Sequence, residues 1–399
     1  MAAALLTMFV PADIVYAILD ELSSDPTSLK QCSLVAHSFR THCHKLLFSH
    51  IVLNRPRQSR GLYRTISCNA ALAGHIRTVE VVSTVADEFR GREWVTIEHT
   101  LAPLLQTLHS LQAFVFRSTC LPPLQWTSLP VELRQAILEI SAPSITLRLI
   151  TGVPMEPFGR LAGLRRLCLM GTASDGDHAH DLTSFGSSPK YPQAIGYLEA
   201  LEIRASYSCG HHLVRTLTDP RSRLRISRLK ALVLSGNGGF ADKIIDAAGS
   251  TLERIAWTAL GEADDGPFTT FPSSLASLPA LSTKFARGHP HDPLPLLAHA
   301  LSNLTPSSAS PLTHLSITIS FYGVWKFAIT PRDVAAVDTY ALWPLLDAAL
   351  ARPEVYPSLR DVTVVLRVGG AASTFGALAR RRLGSLLERG VLRMVFMDK

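Results

Sequence analysis

The sequence predicts an α/β protein: a short all-helical module at the N-terminus, then a long run of strand-and-helix units whose strands form a parallel sheet. Three observations predict it. Amphipathic stripes at helical spacing fill the first fifty residues. After residue 75 one phrase recurs: an apolar residue, two variable ones, an apolar residue, one variable one, an apolar residue. Helical-looking stretches separate most copies, as in "PVELRQAILEI" and "TYALWPLLDAALA". A chain of 399 residues that is 47% hydrophobic and 18% charged has the composition of a folded protein. Its length leaves room for both parts.

The first helix opens at Pro11, whose missing amide donor would be unpaired at a helix start in any case. In "PADIVYAILDEL", Ile14, Ile18 and Leu22 fall at i, i+4 and i+8, with Val15 and Leu19 widening the stripe, so this face is expected to be buried. "SSDPTS" supplies turn and capping chemistry before a short second helix from Thr27 through Leu29, Cys32 and Val35. A third begins near Ser38 and carries Phe39, Cys43, Leu46 and Leu47 on one face. The stretch "CSLVAHSFRTHCHKLLF" holds two cysteines and three histidines, residue types that bind metal where they converge. Cys43 lies four residues after Phe39 and three before Leu46, inside the apolar stripe, while His42 and His44 rotate to its flanks. The expectation is a core thiol with surface histidines rather than converging metal ligands.

The stretch "FVPADIVYAILDELSSDPTSLKQCSLVAHSFRTHCHKLLFSHIVL" resembles an F-box-like domain of fungal style, the three-helix module that docks on the Skp1 adaptor of cullin-RING ubiquitin ligases. Pro11, Ile14, Ile18, Leu29, Val35 and Phe39 match the family's pattern in order. Val10 stands for the usual leucine, Asp13 for glutamate and Phe39 for tryptophan, which keeps an apolar ring but gives up area and the indole donor. The resemblance implies Skp1 binding through Val10, Pro11, Ile14, Ile18, Leu29, Val35 and Phe39, and through Skp1 a cullin. It bounds the module at residues 9–53; residues 54–74, beginning with the arginine-rich "NRPRQSRG", read as a linker, and 75–399 as the repeat region.

The recurring phrase, "LxxLxL", reads "LRRLCL" at 164, "LEALEI" at 198, "LKALVL" at 229, "LERIAW" at 252, "LTHLSI" at 312 and "LRDVTV" at 359. Weaker copies are "IRTVEV" at 76, "LQAFVF" at 111, "ITLRLI" offset near 145, "LPALST" at 278 and "LRMVFM" at 392. This resembles the leucine-rich repeat and implies an irregular solenoid with a parallel sheet on its concave face. "LKALVLSGN" completes the family's motif with Asn237, which the resemblance assigns to bonding the turn; Thr84, Thr119, Thr172 and Ser206 stand there in other copies.

Strand alternation turns the fourth and sixth positions inward, so the third, fifth and seventh face the concavity. Arg117, Arg148, Arg166, Glu202, Arg204, Arg254, Lys284 and His314 land there. The arginines point to an acidic or phosphorylated protein target, because a guanidinium fork pairs bidentately with either group. Ordinary solvated strand charge is the competing reading.

A formal charge of +7 and a pI near 9.2 permit nucleic-acid binding, yet the arginines are scattered. The densest basic runs are "RSRLRISRLK" (221–230) and "RRR" (380–382). Six widely spaced cysteines without a CxxC predict reduced thiols and an intracellular protein, and "MAAALLTMFVP" lacks the basic start of a secretory signal. Loop-like "GDHAHD", "CGHH" and "HPHD" read as exposed histidines. No nucleophile elbow, HExxH or kinase set is present, so neither catalysis nor a cofactor is expected. The expectation is a substrate-recognition subunit of a Skp1–cullin ligase. A repeat scaffold unrelated to ubiquitin and a basic nucleic-acid binder are its alternatives.

Overall fold

The computed structural model describes residues 10–85, 91–173, 195–204, 207–235, 240–248, 251–258, 280–287, 298, 301–302, 310–321, 342–367, 376–377 and 380–397. The chain divides into two compact units, Met1–Gly152 and Val153–Lys399.

The first unit begins with three helices, α1 (Ala12–Glu21), α2 (Pro26–Val35) and α3 (His37–Ser49). Asp25 caps α2: its carboxylate accepts the amides of Thr27 and Ser28 at 3.0 and 3.2 Å, with Pro26 in the first turn. The Ser28 hydroxyl bonded to that carboxylate, with the Ser28 amide, holds the Asp25 pKa below its ordinary value. Leu19, Leu29 and Cys43 form the core, flanked by Val15, Leu22, Cys32, Phe39, Leu46 and Leu47. Here α1 departs from expectation. It buries the Val15–Leu19–Leu22 stripe, and Ile14 and Ile18 are exposed. Both stripes have helical spacing; α3 and α2 cover only one.

The chain continues through β1 (His50–Leu53), α4 (Pro56–Cys68), β2 (Thr78–Ser83), α5 (Leu101–Thr107), β3 (Ala113–Ser118), β4 (Leu124–Gln125), α6 (Val131–Leu138), β5 (Ser144–Arg148) and β6 (Ile150–Thr151). Strands β1, β2, β3 and β5 lie side by side and parallel, and β4 pairs with β6. Helices α4, α5 and α6 pack in succession. Residues 54–74, expected as a linker, therefore contain a structural helix. Pro56, Ser59, Leu62 and Ile66 are its buried face, and Arg60 reaches the buried carboxylate of Glu98 at 2.9 Å. Glu98 also accepts the Thr100 amide and hydroxyl at 3.0 and 2.7 Å, so its burial is satisfied.

The second unit runs through β7 (Arg166–Met170), β8 (Gly196–Tyr197), β9 (Ala200–Arg204), α7 (Tyr207–Thr218), β10 (Leu224–Arg225), β11 (Ala231–Ser235), α8 (Ala241–Ala248), β12 (Arg254–Thr258), β13 (Ala280–Arg287), β14 (His314–Phe321), α9 (Leu342–Leu350), β15 (Asp361–Arg367), α10 (Gly384–Glu388) and β16 (Leu392–Met397). Its sheet has the order β7-β9-β11-β12-β13-β14-β15-β16, every pair parallel. Parallel neighbours require crossovers, which is why a strand signal repeats with helical spacers between copies.

In both units the fourth and sixth positions of the phrase are buried: Phe114 and Phe116, Ile145 and Leu147, Leu167 and Leu169, Leu201 and Ile203, Leu232 and Leu234, Leu315 and Ile317, Val362 and Val364. The last copy is out of step. Leu392 and Met394, not Val395 and Met397, align with Val362 and Val364, because "LRMVFM" is apolar at nearly every position and its phase is not legible alone. The Thr119 and Thr84 hydroxyls bond to the preceding strand-and-helix unit, donating to the Ser83 and Asn54 carbonyls at 3.2 and 3.3 Å. The Thr172 hydroxyl donates locally, to Met170 at 3.3 Å. Ser206 and Asn237 lie outside the described residues.

Candidate protein-docking surfaces

The helical module presents an apolar face to solvent. Val10, Ile14 and Ile18 recur at four-residue spacing and are 51, 49 and 57% exposed; Pro11 before them is exposed too. At the end of α2, Leu34 and Val35 are 80 and 75% exposed. These aliphatic side chains stand open to solvent on a module that has its own core, which makes this face the candidate docking surface. Leu29, expected on the docking face, is 1% exposed and belongs to the core, since it follows the Asp25 cap by one turn on the inner side of α2. Phe39 is partly buried, packed against that core. Leu34 was not singled out by the sequence pattern, although its offset of five from Leu29 already placed it off the buried stripe.

Beside this surface, the histidines are engaged individually. His42 bonds Asp20 at 2.7 Å and stacks on Tyr16 at 4.5 Å, while His44 meets Phe48 edge-on. Cys43 is fully buried, and burial raises its pKa, with Cys32 adding to the shift. Among the described residues no group of three or more His, Cys, Asp or Glu is arranged to hold a metal ion.

The second kind of surface is the open side of each sheet. In the first unit Arg117 donates to Glu80 at 2.5 Å, with His50 3.8 Å from the same carboxylate. Arg148 is exposed and stands opposite Arg117 in register. In the second unit Arg166, Ala200, Ala231, Arg254, Ala280 and His314 form one row across the strands. Glu202 lies one step along β9 and pairs with Arg204 at 2.5 Å. Lys284 falls in the row of Arg204 by backbone register; its side chain is outside the described residues.

The basic run at 221–230 is spent partly on the fold: Arg225 donates to the Asp219 and Pro220 carbonyls, and Arg228 lies over the Tyr197 ring at 4.0 Å. Arg380, Arg381 and Arg382 are exposed. His211 of "CGHH" meets Phe240 edge-on; "GDHAHD" and "HPHD" lie outside the described residues. No helix among the described residues is long and apolar enough to cross a membrane. No protein-family model matches the chain, and no curated protein matches it.

Proposed function

We propose that the chain is a substrate-recognition subunit of a Skp1–cullin type ubiquitin ligase, working inside the cell without chemistry of its own. The F-box-like module docks on a Skp1-like adaptor, and the leucine-rich-repeat-like region holds a protein substrate on its open sheet face. One observation carries this reading: Val10, Ile14, Ile18 and Val35, four of the positions that the F-box resemblance assigns to the adaptor, are solvent-exposed aliphatics on a module that already has its own core. Burying each such side chain in a partner contributes roughly 1.5 to 3 kcal/mol, enough for a few of them to drive a stable complex.

The geometry within each part is compatible with this division of labour. A three-helix module whose core closes on Leu19, Leu29 and Cys43 can hold an apolar face rigid for a partner. A parallel sheet with its fourth and sixth positions buried leaves three residues per strand free to vary for recognition. Affinity capture of the full chain, scored by mass spectrometry for Skp1 and cullin, tests the assignment. Retention of both supports it, and their absence from a folded, expressed chain removes it.

A further inference from the structure

We infer that the sheet face of the second unit reads an extended acidic protein segment in which two acid side chains are spaced four residues apart; this rests on the reading that the face captures a protein. The row that carries the inference is Arg166, Ala200, Ala231, Arg254. Both arginines are exposed, and neither guanidinium is engaged by a hydrogen bond or ion pair among the described residues. Between them the two residues are alanine, so the floor of the row is low and its ends are raised and positive. Parallel neighbours lie about 4.8 Å apart, which puts the two arginines roughly 14 Å apart along the row.

A peptide laid across the strands in extended form advances about 3.3 Å per residue and turns every second side chain to the same side. Residues i and i+4 of that peptide are therefore about 13 Å apart and both face the sheet, each above one guanidinium, where a carboxylate pairs bidentately. Residue i+2 falls over Ala200 and Ala231, where the small side chains leave room for a bulky apolar group. Spacings of three or five fail for a simple reason: the second acid would point away from the sheet. Glu202 does not oppose the arrangement, because its charge is answered by Arg204 at 2.5 Å and it sits one step off the row.

The test uses the full chain, without adaptor, and fluorescence anisotropy with labelled peptides carrying glutamates at i and i+4 and leucine at i+2. Companion peptides move the second glutamate to i+3 or i+5 or replace both by lysine. The i+4 peptide should bind about tenfold more tightly than either shifted one. Arg166→Ala and Arg254→Ala should each cost about tenfold, with thermal unfolding unchanged, and the lysine peptide should not bind. Equal binding of all spacings, no binding of the i+4 peptide, or full binding by the double variant overturns the inference. If cross-linking in cells still shows protein capture that depends on this face while the spacing series is flat, the two-point acidic rule falls and the capture reading stands.

Discussion

Leu19 and Ile18 are neighbours in sequence and opposites in structure: Leu19 is 2% exposed in the core of the helical module, while Ile18 is 57% exposed on its outer face. One helix thus serves the fold through Val15 and Leu19, with Leu22 just past its end, and leaves Ile14 and Ile18 open to solvent; the proposed function gives that outer face a second purpose, as the docking side.

Aspartate placed at these two positions should separate the purposes. Leu19→Asp buries an unpaired charge and should cost roughly 3 to 5 kcal/mol, unfolding the module. Ile18→Asp should change stability by no more than about half a kcal/mol. Circular dichroism melts of the full chain check both.

The strand register makes a parallel prediction. Leu167→Glu and Leu232→Glu place a carboxylate where the wild-type residue is buried and should destabilise the second unit severely. Simultaneous reversal of Arg166 and Arg254 should leave the melting temperature nearly unchanged, since both are exposed and neither is paired among the described residues; adding Arg204 to the reversal costs at most about 1 kcal/mol more, the pair with Glu202. A tolerated Leu167→Glu beside an unfolded arginine variant would mean that the faces are exchanged.

That register was legible in the sequence because large aliphatics stand at the fourth and sixth positions of copies such as "LRRLCL" and "LEALEI", with smaller or charged residues at the third and fifth. The buried side of α1 was not. Ile14–Ile18–Leu22 and Val15–Leu19–Leu22 are equally good stripes, and only the packing of α2 and α3 chooses between them. The helix α4 was hidden for another reason: its stripe uses Pro56 and Ser59, and its outer face is arginine-rich, so it looked like a solvated connection. The partner of its Arg60, Glu98, is 38 residues away, a separation no local pattern reveals. The two-arginine row of the second unit also required pairing partners from three separate crossovers.

Alkaline pH should weaken the second unit through Tyr356. Its hydroxyl is buried and donates to the Leu301 carbonyl at 2.7 Å, and burial pushes its pKa from 10.0 up to about 12. The folded form retains a proton that the unfolded form loses, so this contribution is complete below pH 10 and is lost as the pH rises toward 12. Denaturant midpoints measured across that range should fall, and Tyr356→Phe should flatten the decline.

The bond made by the Thr119 hydroxyl should be worth about 0.5 to 1 kcal/mol, because it adds a second donor at 3.2 Å to a Ser83 carbonyl that already accepts the Thr119 amide at 3.0 Å. Thr119→Val keeps the shape and removes the donor. Urea titration should show a lower midpoint with an unchanged slope.

The claim that the helical module docks on an adaptor is tested most directly by isothermal titration of purified Skp1 into the full chain. The account predicts saturable one-to-one binding, weakened at least about tenfold by Ile18→Asp and untouched by Arg166→Ala. A folded wild-type chain that binds no Skp1, or an Ile18→Asp variant that binds as tightly as wild type, would contradict it.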